Sequence, residues 1–202
     1  PCILDKVLKA SSNLLEGKGI YERDGDLYQS RPRVNKIEEI LSKNIRIDSI
    51  VLDFGAGIGN TYINYPELFQ SRQKYYVIEQ SAFVRAGKIF AKQYSLDIQY
   101  IESLDSLCLR PHFIIFSSVL PYIQNIKHVV DSALKLKPEF IIIDRTAFTQ
   151  NDRLEWWIQY EETYYDRPVS YPFRPFNEKS LVDLFSGYQV LESWINQFDP
   201  NV

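Results

Sequence analysis

Two segments near the start of the chain carry apolar residues at helical spacing. The first covers residues 3–15 and is followed by Gly17, which favours the end of a helix. The second has apolar positions at Ile37, Ile40 and Leu41 and stops before Asp48. The pattern therefore predicts that residues 1–47 form a helical N-terminal segment.

Beyond this segment the pattern changes to short apolar runs bounded by turn residues. Four strong runs and a weaker fifth are rich in β-branched and aromatic residues, and they cover residues 49–54, 75–78, 113–116, 140–143 and 98–101. Buried parallel strands have this composition. Helical patterns lie between them at residues 61–69, 82–93 and 126–136. Because strand and helix alternate, we expect a doubly wound, mostly parallel α/β sheet with right-handed crossovers.

The regular alternation stops after Asp144. An aromatic, proline-containing segment runs as far as Phe176, followed by a helical pattern at 178–185 and a strand-like run at 188–195. We therefore expect a sheet of about six or more strands. The chain is predicted to form one domain over residues 1–202, with a cofactor-binding core at 48–146 and a substrate-side segment at 147–202.

Composition narrows the functional classes. The 202 residues are 45% hydrophobic and 24% charged, which is typical of a globular domain. A net charge of −3 with mixed signs offers no basic surface for nucleic acid. Cys2 and Cys108 are too far apart for a metal-binding or redox pair, and no apolar run has the roughly 20 residues of a membrane span. We predict a cytoplasmic protein without a metal site.

A glycine-rich turn joins the first strong strand to the following helix, where a doubly wound sheet binds its ligand. Asp53 is followed at alternating positions by Gly55, Gly57 and Gly59. Glycine lets the main chain turn tightly and approach a ligand without a Cβ atom in the way. Glu79 ends the next strong strand, where an acid accepts hydrogen bonds from ribose hydroxyls. Together these features predict an adenosine-type cofactor.

The glycine spacing distinguishes between adenosine cofactors. A dinucleotide fingerprint, G-x-G-x-x-G, counted from Gly55 and Gly57, requires glycine where the chain has Asn60. The alternating glycines after Asp53 instead resemble motif I of class I S-adenosylmethionine-dependent methyltransferases, and the resemblance extends over residues 50–145. This implies a Rossmann-like class I methyltransferase fold. A Rossmann-type NAD(P)-dependent oxidoreductase and a non-catalytic interaction module with the methyltransferase fold are the alternatives.

The resemblance implies that S-adenosylmethionine is the cofactor and S-adenosylhomocysteine the product. The cofactor-binding residues implied are Asp53, Gly55, Ala56, Gly57, Gly59, Glu79, Gln80, Glu102, Ser103, Leu104, Ser117, Ser118 and Tyr28. Of these, Asp53 and the glycine loop face the methionine part, Glu79 binds the ribose, and the turn at 102–104 lies by the adenine. Residues 117–122 resemble motif IV, beside the methyl group. For Tyr28, an ordinary surface linker is the alternative.

A finer resemblance involves residues 79–80, 117–122 and 142–146. These stretches are similar to a little-characterised bacterial methyltransferase family, often encoded in surface-polysaccharide gene clusters. The similarity implies a small-molecule or glycan-precursor acceptor and a role in polysaccharide biosynthesis. Pro121 stands where members of that family more often have a polar residue, so its side chain has no predicted chemical role.

Candidate catalytic and substrate residues follow from the chemistry of methyl transfer. A hydroxyl acceptor benefits from a general base within hydrogen-bond reach, and Asp144 and Glu161 are the candidates. Arg145 follows Asp144 at the end of the last strong strand and is expected to orient substrate, with a structural salt bridge as the alternative. Tyr122 and Trp157 are further candidate substrate contacts; for the aromatic segment around Trp157, ordinary packing is the alternative to a substrate lid.

Overall fold

Alternating strands and helices make up most of the chain in this computed structural model, which describes residues 2–69, 72–150, 155–162 and 168–195. The helices are α1 (Cys2–Leu15), α2 (Lys36–Asn44), α3 (Asn60–Asn64), α4 (Ser81–Tyr94), α5 (Ile126–Lys135) and α6 (Glu178–Leu184). The strands are β1 (Tyr21–Arg23), β2 (Asp26–Tyr28), β3 (Ile50–Phe54), β4 (Lys74–Ile78), β5 (Ile98–Ile101), β6 (Phe113–Ser117), β7 (Phe140–Asp144), β8 (Trp157–Glu161) and β9 (Val169–Phe173).

The central sheet contains five parallel strands in the order β5-β4-β3-β6-β7. The chain winds outward from β3 to β5, returns to place β6 beside β3, and then continues to β7. The direction of winding thus reverses between β3 and β6, and doubly wound sheets bind ligands at the carboxyl ends of the strands at such a point. The predicted fold class is confirmed, as is the helical start of the chain.

Apolar side chains cover both faces of the sheet, which is why its strands are nearly continuous apolar runs. On one face, Leu52 and Phe116 belong to a buried cluster that also contains Val130 of α5 and Leu181 of α6. On the other face, a second cluster combines strand residues with side chains of α2 and α4. The two layers hold the carboxyl ends of β3, β4, β6 and β7 in fixed register.

Two predicted elements differ from the structure. The helix expected at 61–69 is split, because proline disfavours helical geometry in the residue before it. Tyr65 accordingly has φ −132° and ψ 55°, and a short 3₁₀ turn, Pro66–Leu68, follows. The strand expected at 188–195 is wrong: no strand forms among the described residues of that run, and Leu191 is 71% exposed. The run is attached to the domain by side chains, since the hydroxyl of Tyr188 donates to the Pro138 carbonyl at 2.6 Å.

The sheet therefore has five strands rather than six or more, and the remaining strands form two antiparallel hairpins, β1–β2 and β8–β9. The first hairpin turns at Asp24 and Gly25, which both have positive φ (55° and 88°), as the favoured two-residue hairpin turn requires. Neither hairpin was predicted. Residues 163–167 of the predicted substrate-side segment lie outside the described residues. No helix in the described part of the chain is long and apolar enough to cross a membrane.

Candidate functional site

The glycine loop leaves the carboxyl end of β3 and leads directly into α3. Gly55, Gly57 and Gly59 adopt positive φ values of 73°, 62° and 97°. Residues other than glycine adopt such values only at an energetic cost. The Gly55 N–H donates to the Ile78 carbonyl at 2.9 Å, which ties the loop to the end of β4. The loop is therefore fixed at the switch point of the sheet.

The three glycines are needed for different reasons. A Cβ atom on Gly55 would lie 2.4 Å from Cγ2 of Val119, and one on Gly59 would lie 2.9 Å from Cδ1 of Ile98. Both positions are filled by the protein's own packing. A Cβ atom on Gly57 would meet nothing closer than 3.7 Å, so the positive φ of Gly57, and not crowding, is what favours glycine there.

The Glu79 carboxylate contacts the loop directly. Its Oε1 accepts a hydrogen bond from the Gly57 N–H at 3.1 Å, and its Oε2 accepts one from the Gln80 N–H at 2.8 Å. Burial raises the pKa of Glu79, and these two main-chain bonds oppose that rise. The structure thus brings together the loop and the acid that the sequence pairs as cofactor-binding residues.

Asp53 lies beneath the loop instead of at its surface. Its side chain is 2% exposed, and the Tyr75 hydroxyl donates a hydrogen bond to Oδ2. Burial raises the pKa of Asp53 to about 6, although hydrogen bonds with Tyr75 and Thr61 oppose the shift. In the described structure Asp53 contacts other protein groups and supports the loop from below. Its role toward the methionine part of the cofactor stays a prediction.

The predicted adenine-side turn lies beyond β5, next to the end of β4. Glu102 and Ser103 are exposed, and Glu102 Oε2 accepts a hydrogen bond from the Ser81 hydroxyl at 2.5 Å. Leu104 is 3% exposed and packs into the core, so its side chain is part of the fold. Gln80 is exposed beside this turn.

The ends of β6 and β7 carry a connected polar group. Asp144 Oδ1 accepts from the indole N–H of Trp194 at 3.1 Å, and Oδ2 accepts from the Ser117 hydroxyl at 3.3 Å. Ser117 Oγ also accepts from Nε of Arg145 at 3.3 Å. Ser118 and Arg145 both have positive φ, 57° and 50°. Both carboxylate oxygens of Asp144 are therefore engaged, which favours a structural role over that of a general base.

The β1–β2 hairpin reaches the same edge of the sheet. Glu22 and Asn64 of α3 form a reciprocal pair, in which the Glu22 N–H donates to Asn64 Oδ1 and the Asn64 amide donates to the Glu22 carbonyl, both at 2.8 Å. At the tip, Asp24 lies 3.6 Å from Nη1 of Arg145. Tyr28, 39% exposed, packs against Tyr21 on the same hairpin. Glu22 and Asp24 are not among the predicted site residues, although Asp-Gly is a recognised hairpin signal.

The β8–β9 hairpin places the predicted substrate residues on one face. Tyr122 packs against Tyr171, with ring centroids 5.5 Å apart, and its hydroxyl donates to Gln159 Oε1 at 3.3 Å. Trp157, Gln159 and Glu161 are every second residue of β8, so all three side chains lie on this face of the hairpin. Burial raises the pKa of Tyr171, and the carboxylates of Glu161 and Asp24 raise it further. The two hairpins therefore approach each other above the sheet edge.

Other site types receive no support from the described residues. In the described ranges, no group of three or more His, Cys, Asp or Glu side chains is arranged to hold a metal ion. Two surface depressions of about 270 and 300 Å³ border α2, and neither includes a predicted site residue.

Comparison with known proteins identifies the fold. No protein-family model matches the chain, and no curated protein is similar to it in sequence. Among solved structures, a S-adenosylmethionine-dependent methyltransferase from Clostridium acetobutylicum is similar with a TM-score of 0.53 at 15% identity, over 74% of this chain and 76% of that one. A SAM-dependent methyltransferase from Aquifex aeolicus is similar with a TM-score of 0.50 at 14% identity, over 85% and 98% of the two chains.

A third similar structure is the N-terminal domain of EvdMO1, determined in the presence of S-adenosylhomocysteine (SAH) and D-fucose. Its TM-score is 0.50 at 11% identity, over 90% of this chain and 84% of that one. Together the three structures show that the chain has the Rossmann-like fold of class I methyltransferases.

Proposed function

We propose that this chain is a S-adenosylmethionine-dependent methyltransferase. The observation that carries the proposal is the 3.1 Å contact between the Gly57 N–H and the Glu79 carboxylate. It joins the main chain of the glycine loop to an acid that can accept ribose hydroxyls, at adjacent strand ends. Two of the similar structures are of S-adenosylmethionine-dependent methyltransferases, and the EvdMO1 domain has been solved with SAH bound.

The residues around the loop fit this cofactor. In this proposal the main chain at Gly57 contacts the cofactor, Glu79 accepts the ribose hydroxyls, and Glu102 and Ser103 border the adenine. S-adenosylmethionine, when bound, supplies a methyl group activated by a positively charged sulfur. The protein's own contribution is mainly to hold the partners in line, and well-held geometry can lower a barrier by roughly 7–11 kcal/mol.

A dinucleotide fits the same loop less well. Pyrophosphate binding depends on the free N–H groups and dipole of the following helix, and α3 has only 5 residues. This short helix favours a sulfonium nucleoside over NAD(P).

We further propose a small-molecule or glycan-precursor acceptor bound between the two hairpins. Aromatic faces of Tyr122, Trp157 and Tyr171 suit a sugar ring, and Arg145 lies at the adjoining strand end. The EvdMO1 domain was studied with D-fucose, a sugar. A role in polysaccharide biosynthesis in the cytoplasm is the finer form of this proposal. The role in polysaccharide biosynthesis rests on the sequence resemblance at 79–80, 117–122 and 142–146.

Glu161 is one candidate for a general base toward a hydroxyl acceptor. It lies on the hairpin face shared with Gln159, close enough to Tyr171 to raise its pKa. Asp144 remains the second candidate, but Trp194 and Ser117 already occupy its two oxygens. As a general base, the Glu161 carboxylate would accept the proton that the acceptor hydroxyl loses.

Titration calorimetry of the purified chain with SAH and with NAD⁺ tests the proposal. We expect SAH to bind and NAD⁺ to give no heat of binding. Binding of NAD⁺ alone would support the oxidoreductase reading, and the absence of binding by both ligands would support a non-catalytic interaction module.

A further inference from the structure

Three buried polar atoms lack a hydrogen-bond partner where α1, β1 and α3 meet. They are Ser11 Oγ, Glu22 Oε2 and Asn60 Oδ1, one from each element. Each of the three elements packs against the other two. Buried polar atoms are almost always hydrogen-bonded in folded proteins, so unpaired oxygens on three elements that pack together call for a partner such as a water, an ion or a ligand.

The junction borders the glycine loop at Gly57. Asn60 is the first residue after the loop, and a Cβ atom on Gly57 would lie 3.7 Å from Asn60 Oδ1. The same position would lie 3.9 Å from Cγ1 of Val7, a residue of α1. The loop surface assigned to the cofactor and the junction are therefore contiguous.

Glu22 brings a buried carboxyl group to the junction. Its side chain is 1% exposed, and Oε1 accepts from the Gly25 N–H at 2.7 Å. Burial raises the pKa of Glu22 to about 7, and Asp24 and Asp26 raise it further while Arg145 lowers it. None of the ion pairs formed by the described residues includes Glu22. A buried carboxylate of this kind is stabilised when a cation binds to it.

The acid within the glycine motif is not available for that task. Asp53 is 2% exposed, and its carboxylate is hydrogen-bonded with the hydroxyls of Tyr75 and Thr61. An ammonium group that lies against the loop must therefore find its acidic partner elsewhere, and Glu22 is the nearby buried carboxylate with an unpaired oxygen.

We propose that Glu22 and Asn60, assisted by Ser11, bind the α-ammonium group of the cofactor's aminoacyl end. This assignment rests on the proposed function. An ammonium group has three donors and no acceptor, and the junction offers a carboxylate oxygen, an amide oxygen and a hydroxyl oxygen, each able to accept one. The acid for the ammonium is thus supplied by the N-terminal hairpin and not by the glycine motif.

Calorimetry with three related ligands tests this assignment. SAH carries the ammonium, its deaminated analogue lacks that group alone, and 5′-methylthioadenosine lacks the whole aminoacyl end. We expect Glu22→Gln to weaken SAH binding by about tenfold or more at pH 8, as the loss of one charge-assisted hydrogen bond implies. Asn60→Ala should weaken it by a smaller factor. Neither variant should change the affinity for the other two ligands.

Asp26→Asn is the matched control, because it removes the same charge from the same hairpin. Asp26 is partly exposed, pairs with Lys6 of α1 at 3.0 Å, and influences Glu22 only through its charge, so its effect should be the smaller one. Equal SAH affinity in wild type and Glu22→Gln would overturn the assignment. So would an equal effect of Asp26→Asn, or an equal loss for 5′-methylthioadenosine. Wild-type protein that binds no SAH at all would instead refute the proposed function.

Discussion

Glu79 holds the glycine loop through the Gly57 N–H before any ligand arrives. Replacement by alanine removes the acceptor for the ribose hydroxyls, and each charge-assisted hydrogen bond is worth about 1.5–3 kcal/mol. We therefore expect Glu79→Ala to weaken SAH binding by about tenfold or more, measured by calorimetry. Asp97→Ala provides the control, because this exposed acid precedes β5 at the opposite edge of the sheet. An unchanged dissociation constant for Glu79→Ala would remove Glu79 from the cofactor site.

Glu22 makes stability depend on pH. Its folded-state pKa of about 7 exceeds the ordinary value of 4.5, so the fold accommodates the neutral carboxyl better than the carboxylate. Its contribution to stability is therefore fully present below pH 4.5 and is lost as the pH rises through 7. At about 1.4 kcal/mol per pKa unit, the loss is on the order of 3 kcal/mol.

Glutamine has the shape of the neutral carboxyl and no charge to desolvate. We expect Glu22→Gln to raise the free energy of unfolding of the unliganded protein near pH 8 and to leave it almost unchanged near pH 4.5. Urea denaturation at the two pH values measures the difference. An equal gain at both values, or a similar gain for Asp26→Asn, would mean that burial of the Glu22 charge is not the cause.

At the scale of single residues, sequence reasoning identifies the parts of the site that belong to a local motif. Gly57 and Glu79 are recognisable because each follows the end of a strand, and parallel strands bring their ends together. Glu22 is not recognisable, because a glutamate in a polar stretch is normally solvated. Its burial follows from the packing of α1 and α3 around the hairpin, and no local pattern encodes that packing.

At the scale of elements, the β1–β2 hairpin depends on one side chain for its position. Asn64 forms both 2.8 Å hydrogen bonds with the backbone of Glu22, and it is buried. Asn64→Ala leaves a buried N–H and a buried carbonyl unpaired, at about 1–3 kcal/mol each. We expect the hairpin to lose amide protection in hydrogen exchange while β3, β4 and β6 remain protected. Asn44→Ala, an exposed asparagine, is the control, and equal protection in the two variants would contradict this account.

Helices and strands can be predicted from sequence where a local pattern of residues stabilises them, and not where tertiary contacts do. Strands β3, β4 and β6 are buried on both faces, and the edge strand β7 is partly buried, so the apolar composition of all four identifies them. Tyr65, by contrast, leaves helical geometry because of Pro66, a local signal that the apolar periodicity of 61–69 concealed. The run at 188–195 has a strand-like composition, but its attachment by Tyr188 and Trp194 is a tertiary feature.

At the scale of the whole molecule, segments far apart in sequence meet at one edge of the sheet. The glycine loop and the ends of β4, β6 and β7 meet there because the sheet is parallel, which the alternation of strands and helices predicts. The two hairpins join them through the contacts of Asp24 with Arg145 and of Tyr122 with Tyr171. These contacts depend on the path of irregular segments, for which the sequence has no comparable periodic signal.

A cofactor held by this whole edge should stabilise the entire domain. A ligand that binds the folded state alone, at about 100 times its dissociation constant, adds about 2.7 kcal/mol to the free energy of unfolding. We expect this gain from SAH in urea denaturation, and none from NAD⁺ at the same concentration. A gain from NAD⁺ in place of SAH would favour a dinucleotide enzyme.

Stabilisation by a bound ligand also separates the two roles of Glu22, one in the unliganded fold and one in cofactor binding. At pH 8 Glu22→Gln should be more stable than wild type without ligand, because the charge is no longer buried. At equal SAH concentration, the ligand should raise the free energy of unfolding of the variant by less than that of wild type. Tenfold weaker binding removes about 1.4 kcal/mol of ligand-derived stability. Stability in the absence of ligand and affinity for the ammonium thus change in opposite directions, as expected of a residue whose buried charge is useful only when the cofactor is bound. A variant that lost stability in both states would show instead that Glu22 supports the fold alone.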